Sequence, residues 1–282
     1  MRVENYYQPS DLKEALACMN AHACVKALAG GTDLVIALQE KTIKPDAIVD
    51  LSHVKEMKGV SMQADGLHIG AMNTFTQLES NELIKTHLPM LACAASQVGS
   101  PQVRNSGTVG GNLANAATAA DSVPVLMAAD AVAVIASAEG TRTIPVTEIP
   151  TGLNKTCLAP NELIVEFIVK PLDGKFCAFE KVGRRKALAI SRINMGMVLE
   201  LDGKTVKTAA VAFGAVGKTA YRAKVVEDFL VGKELTDAAI DEAAAVAEQM
   251  VVEVLAGRST TPYKKKIAAA VIRRALIKAQ EG

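Results

Sequence analysis

Two glycine pairs constrain this chain more than any other feature. One lies in "LAGGTDLV", residues 28–35, and the other in "GTVGGNLANAATAAD", residues 107–121. Glycine has no Cβ, so such a pair lets the backbone take positive φ and lets another group approach closely. Successive N–H groups in such a turn form a concavity that attracts anions. A helix beginning just beyond adds the positive end of its dipole. Each pair alone also suits a plain tight turn, because glycine is a common turn residue. Two of them, each beside Thr, Asp or Asn, point towards the pyrophosphate of a dinucleotide. Neither has the G-x-G-x-x-G spacing of a Rossmann unit, so the usual nicotinamide-dinucleotide fingerprint is missing.

The segments around the pairs alternate between strand and helix patterns. Residues 25–29, 47–51 and 66–71 are short apolar runs of strand type. Residues 33–41 carry Leu34 and Leu38 four apart, the spacing of one helix face. Thr74 followed by Gln77 is a capping box opening a helix. Pro89 suits the first turn of another. After a polar, Gly-rich stretch over 99–122, "VPVLMAA" reads as a short helix, and "AVAVIAS" and "ELIVEFIVK" as buried strands. Pro171 and Gly174 punctuate a boundary within 170–175. Beyond it, "KFCAFEKVG" and "INMGMVLEL" read as strands, and Asp202-Gly203 as the two-residue turn of a hairpin into "KTVKTAAVAFGAV". From Tyr221 onward the pattern is helical. Asp237 is the expected N-cap of a helix reaching about Leu255, and a last helix spans about Tyr263 to Ala279.

Composition removes several functions. Half of the 282 residues are hydrophobic, yet no run of eighteen apolar residues occurs, so no membrane span is expected. The N-terminus lacks the apolar core of a signal peptide. A net charge of +1 gives no bulk attraction to nucleic acid or membrane. The five cysteines form no C-x-x-C pair, which suits free thiols in a reducing cytoplasm rather than an iron–sulfur or zinc site. His22, between Cys18 and Cys24, lacks a fourth ligand at any usual spacing and reads as a surface residue at a helix end. "FGAVGKTAY" imitates the tail of a P-loop, but Ala212 stands where the first glycine belongs. The basic run Lys264, Lys265, Lys266, Arg273, Arg274 and Lys278 is expected on a solvated helix face, with docking of an acidic partner as the other reading.

"LAGGTDLVIAL", "IVDLSHV", "LHIGAMNTFTQLE", "PQVRNSGTVGGNLANA", "ELIVEF", "FEKVGRRKALAISR" and "YKKKIAAAVIRRAL" occur in that order. Together they resemble the FAD-binding medium subunit of the molybdenum hydroxylases, the family of xanthine, carbon monoxide and nicotinate dehydrogenases. The resemblance covers essentially the whole chain. It implies an α+β fold: a vanillyl-alcohol-oxidase (PCMH)-type FAD-binding domain over 1–172, in subdomains of about 1–55 and 56–172. A C-terminal domain with a three-stranded antiparallel sheet and helices would follow over 173–282. The first pyrophosphate loop then comprises Ala29, Gly30, Gly31, Thr32, Asp33 and Leu34, and the second Thr108, Val109, Gly110, Gly111 and Asn112. Ser106 and Ala116 flank the second loop. Asp121 matches an acidic position near the ribityl and phosphate portion of the flavin, Ile164 an apolar neighbour of the cofactor, and Lys181 a lysine that reaches the isoalloxazine. Read from the residues alone, Asp121 also suits a helix N-cap before Pro124, and Lys181 a solvated lysine on a strand edge.

The resemblance further implies noncovalent FAD, since neither loop has a His or Cys to attach it. It implies NAD as electron acceptor, with the molybdenum cofactor in a large partner subunit and two 2Fe–2S clusters in a small one. The assembly would be a cytoplasmic dimer of heterotrimers that oxidises a purine or another N-heterocycle. No catalytic acid or base is required of this chain, because the cofactor carries the redox chemistry. Some relatives have an Asp and an aromatic where Leu188 and Ala189 stand here, so an aromatic cover on one flavin face is not implied. A flavin-free structural subunit and a free-standing FAD oxidoreductase are the competing readings.

Overall fold

The computed structural model describes residues 3–185 and 187–282. The chain begins with β1 (Asn5–Tyr7), α1 (Leu12–Asn20), β2 (Val25–Leu28), α2 (Leu34–Gln39) and β3 (Ala47–Asp50). The strands form a parallel sheet ordered β1-β3-β2. Parallel neighbours require a crossover between them, which α1 and α2 supply. Asp11 caps α1 by accepting the amide of Glu14. The leucines predicted to face inwards from α2 are only half-buried, and Val35 and Ile36 are exposed.

A second, antiparallel sheet follows. Its strands are β4 (Val60–Gln63), β5 (Gly66–Gly70), β6 (Val132–Ser137), β7 (Gly140–Pro145) and β10 (Leu163–Val169), ordered β4-β5-β10-β6-β7. The last strand in sequence is therefore central. Between β7 and β10 lies a small hairpin, β8 (Pro150–Gly152) with β9 (Lys155–Thr156). Six short helices fill the excursion between β5 and β6: α3 (Phe75–Ser80), α4 (Glu82–His87), α5 (Pro89–Ser96), α6 (Pro101–Ser106), α7 (Val109–Asn115) and α8 (Ser122–Ala128). The Thr74–Gln77 capping box forms, with both reciprocal bonds present. Pro89 opens α5 as expected. The stretch over 99–122 is more ordered than its glycines suggest: Ser100 caps α6 and Thr108 caps α7.

The remaining residues form β11 (Phe176–Val182), β12 (Ile193–Asp202), β13 (Thr205–Gly214) and β14 (Tyr221–Arg222), then α9 (Lys224–Leu230), α10 (Asp237–Val254) and α11 (Thr261–Glu281). The antiparallel sheet runs β11-β12-β13-β14. Three long strands match the expectation, and the two-residue β14 adds a fourth. Two local readings are corrected. Asp202 pairs with Thr205, so the turn is Gly203-Lys204, with Gly203 at φ +57. Thr236, not Asp237, caps α10, because its hydroxyl accepts the amide of Ala239.

Period-two alternation puts successive side chains of β12 and β13 on opposite faces, and where the two strands are apolar both faces are buried. Met195, Met197, Leu199, Val211 and Phe213 face one way, into a cluster with α9, α10 and α11. Val198, Ala210 and Ala212 face the other way, into the core shared with α8 and the five-stranded sheet. Gly196 makes that contact close: a Cβ there would lie 2.7 Å from the carbonyl oxygen of Pro124. No described helix is long and apolar enough to cross a membrane.

Candidate functional site

The two glycine loops touch. β2 ends at Leu28 and the chain turns through Ala29–Asp33 into α2. A Cβ on Gly30 would fall 1.9 Å from the carbonyl oxygen of Ser106 and 2.8 Å from Cα of Gly107, so only glycine seats here. Gly31 follows at φ +71, in the left-handed region that favours glycine. On the other side, Gly110 packs on the end of β5, where a Cβ would lie 2.6 Å from that of Ala71. Gly111 approaches Ala29 more loosely: a Cβ on it would lie 3.5 Å from that of Ala29.

The two loops use their amides differently. In the second, Val109 N–H donates to Asn73 O at 3.1 Å and Gly110 N–H to Ala71 O at 2.9 Å. Gly111 N–H is taken by the Thr108 hydroxyl at 3.1 Å. The start of α7 is thus fastened to the protein. In the first loop, the amides of Gly30, Gly31, Thr32, Asp33 and Leu34 donate to no acceptor among the described residues. Asp33 stands at the head of α2 without capping it through its side chain. Successive free N–H groups at a helix start are the donors that an anion needs. The second loop is the floor on which Gly30 rests. This division suits a pyrophosphate, and Ala29 and Thr32, both half-buried, border it.

The other predicted positions surround these loops unevenly. Ser106 ends α6, and Ala116 caps the end of α7 in the left-handed region at φ 47. Asn112 faces α8, where its Oδ1 accepts from Ser122 Oγ at 2.7 Å. Ile164 is buried on β10 opposite Ile135, just before a register shift.

Asp121 and Lys181, sixty residues apart, meet. Lys181 Nζ lies 2.5 Å from Asp121 Oδ2, and each side chain is 7% exposed. Lys181 also donates to Gln97 O at 2.7 Å. It is therefore not a solvated strand-edge lysine. Asp121 stands at the head of α8 but makes no side-chain cap bond. Its Oδ1 instead accepts from Ser191 Oγ and from Asn194 Nδ2, each at 2.6 Å. Ser191 and Asn194 escaped the sequence reading, because nothing local marks "SRIN" as the partner of an aspartate seventy residues earlier. Lys181 borders a cavity of about 600 Å³ that lies between Ser96–Arg104 and the segment after β11. Arg104, Arg184 and Arg185 make its lining basic, with Leu188 and Ala189 beside them. Arg185 Nε donates to the carbonyls of Ala187 and Leu188. No described cluster of His, Cys, Asp and Glu could hold a metal ion.

Comparison with known proteins defines the class. Residues 1–171 match the FAD binding domain in molybdopterin dehydrogenase, and residues 178–279 match the CO dehydrogenase flavoprotein C-terminal domain. The chain is 34% identical to the nicotinate dehydrogenase FAD-subunit of Eubacterium barkeri, over 98% of this chain and 96% of that one. It is also 34% identical to the xanthine dehydrogenase FAD-binding subunit of Escherichia coli O157:H7, over 79% and 77%. A solved carbon monoxide dehydrogenase from Hydrogenophaga pseudoflava superposes with a TM-score of 0.91 at 30% identity, over 98% and 96% of the two chains. Such a chain is an FAD-binding oxidoreductase subunit. It belongs to the molybdenum hydroxylase family, as the FAD-binding medium subunit.

Proposed function

We propose that this chain holds FAD noncovalently and relays electrons from the iron–sulfur clusters of a partner subunit to NAD⁺. The observation that carries the reading is the run of free amides from Gly30 to Leu34, seated on the second loop by Gly30. That cradle takes the pyrophosphate. Thr108, Val109 and Gly110 fix its floor, Gly111 and Asn112 border it, and Ser106 and Ala116 complete the wall. Ile164 supplies an apolar surface to the cofactor, and Lys181, oriented by Asp121, supplies a fixed positive charge. When bound, FAD supplies the redox chemistry, and this chain binds, orients and shields it. The basic cavity beside Lys181 suits the approach of an anionic acceptor such as a dinucleotide.

The chain itself has no cysteine array for a cluster, so the preceding carriers sit in partners. A large subunit with the molybdenum cofactor and a small one with two 2Fe–2S clusters complete the unit. Two such heterotrimers pair in the cytoplasm. The similarity to a nicotinate dehydrogenase subunit supports an N-heterocycle, purine or pyridine, as the substrate of the complex.

A visible spectrum of the FAD-reconstituted chain tests this reading. One flavin per chain, released entirely by acid precipitation, is expected. Anaerobic mixing with NADH should reduce that flavin, whereas purines, nicotinate and aldehydes should not. A folded, colourless protein refutes the assignment, and flavin reduction by a hydroxylase substrate without partners would revive the free-standing oxidoreductase.

A further inference from the structure

We infer that Ser191 and Asn194, from the second domain, are positioning residues that hold the Asp121–Lys181 ion pair of the cofactor site built by the first. The inference rests on the FAD reading above. Its basis is the buried node at Asp121. Three donors converge on that carboxylate, and all three come from residues after 175: Lys181 at 2.5 Å, Ser191 at 2.6 Å and Asn194 at 2.6 Å. Asp121 is 6% exposed, Ser191 5% and Asn194 0%.

The node is continuous with the glycine loops. Ser122, the next residue along, donates its hydroxyl to Asn112 beside Gly111. On the other side, Lys181 reaches Gln97 O at the edge of the basic cavity. An ammonium has three protons, and two are thus engaged. The third finds no acceptor among the described residues and is available to a ligand at that edge.

Chemistry assigns the division of labour. A buried carboxylate with one counter-ion needs further donors, and neutral ones satisfy its remaining lone pairs without cancelling the lysine. Ser191 and Asn194 are those donors, and both bind the oxygen that Lys181 leaves free. They hold Asp121 in the rotamer that fixes Lys181. Asn194 is held in turn: its amide nitrogen also donates to Ala120 O at 3.2 Å, and its Oδ1, which has no hydrogen-bond partner among the described residues, packs so close to Gly214 that a Cβ there would lie 2.0 Å from it. Losing either donor exposes more of the Asp121 charge to Lys181 and frees both side chains to move. The site then becomes less positive and less ordered, although neither residue touches the cofactor.

The test uses the full chain reconstituted with FAD. Ser191→Ala is expected to raise the Kd for FAD by about tenfold, as befits one charge-assisted bond, and to lower the midpoint potential of bound FAD. Asn194→Ala should act in the same direction. Ser191→Thr keeps the hydroxyl and should restore both values. Val226→Ala, in the core packed by α9, is the control: it should lower thermal stability while leaving the potential unchanged. A Ser191→Ala protein with the Kd and potential of the original chain overturns the inference. So does a Val226→Ala protein with an equal shift in potential, since the effect would then be general loosening. Failure of the unaltered chain to bind FAD overturns the underlying reading as well, and is told apart because no variant is needed to see it.

Discussion

Replacing Gly30 with alanine adds one methyl group where two backbone segments meet. The new Cβ would lie 1.9 Å from the Ser106 carbonyl oxygen, whereas ordinary contact starts at 3.4 Å, so the loops must part by about 1.5 Å. The obstacle is backbone, which cannot rotate aside as a side chain can. Overpacking of this kind costs about 1–3 kcal/mol. At roughly 2–4 °C per kcal/mol, the apo chain should melt several degrees lower. If the cradle bears the same cost, the FAD Kd rises about 5- to 140-fold. Gly111→Ala provides the contrast. Its Cβ meets the Thr108 hydroxyl at 2.9 Å and Ala29 Cβ at 3.5 Å. A weakened cap, about 1 kcal/mol, is offset by the better helix propensity of alanine, also about 1 kcal/mol. Apo stability should stay near that of the parent, and any lost FAD affinity then reports contact with the ligand. Gly31→Ala should fall between, since left-handed φ costs an alanine roughly 1–2 kcal/mol. Differential scanning fluorimetry of the apo proteins and fluorescence titration with FAD give both rankings. A Gly30→Ala protein with unchanged melting and unchanged Kd would refute the docking of the loops.

Lys181→Met should destabilise the apo chain by about 3–5 kcal/mol, because Asp121 is left as a buried charge without its counter-ion. The double variant with Asp121→Asn should recover much of this in denaturant titration, and equal stability of the single and double variants would contradict the pairing. His68 on β5 sits between Asp65 at 2.9 Å and Glu166 at 3.1 Å. Burial alone would lower its pKa, but hydrogen bonds to the two carboxylates outweigh that and hold it above the ordinary value. A raised pKa stabilises the fold fully below the unfolded value of about 6.5 and is lost as pH rises through the folded one. Stability measured by denaturant from pH 5 to 9 should show that loss, and His68→Gln should remove it. Tyr221 buries a hydroxyl that finds no partner among the described residues, and burial pushes its pKa up to about 12. Tyr221→Phe should therefore keep or raise the melting temperature, and a clear fall would reveal a missing acceptor.

The features legible in the sequence are those written in a few neighbouring residues. Thr74 with Gln77 and Pro89 announce their helices, because capping and the first-turn proline act within one turn. The apolar runs at 132–137 and 163–169 announce strands. Even local rules slip by one residue where two candidates adjoin. Thr236 and Asp237 are both good caps, and only the backbone conformation selects Thr236. The strand register moves the hairpin turn from Asp202-Gly203 to Gly203-Lys204 in the same way. The glycine pairs were visible as a pair of loops, but their unequal roles were not. Which amides stay free depends on Ala71 and Asn73, which lie outside both motifs. The node at Asp121 was least legible, since its partners are brought together only when the second domain packs on α8.

The place of β10 at the centre of its sheet has a consequence for synthesis. β5 and β6 both pair with β10, and not with each other. Until residue 169 has emerged, the hairpins β4–β5 and β6–β7 each present an apolar, unpaired edge. At roughly 5–20 residues per second, β5 waits about 5–20 s for its neighbour. An open edge of that kind accepts any extended segment, including the same segment of another nascent chain. Slow elongation between residues 70 and 163 should thus divert more chains into aggregates.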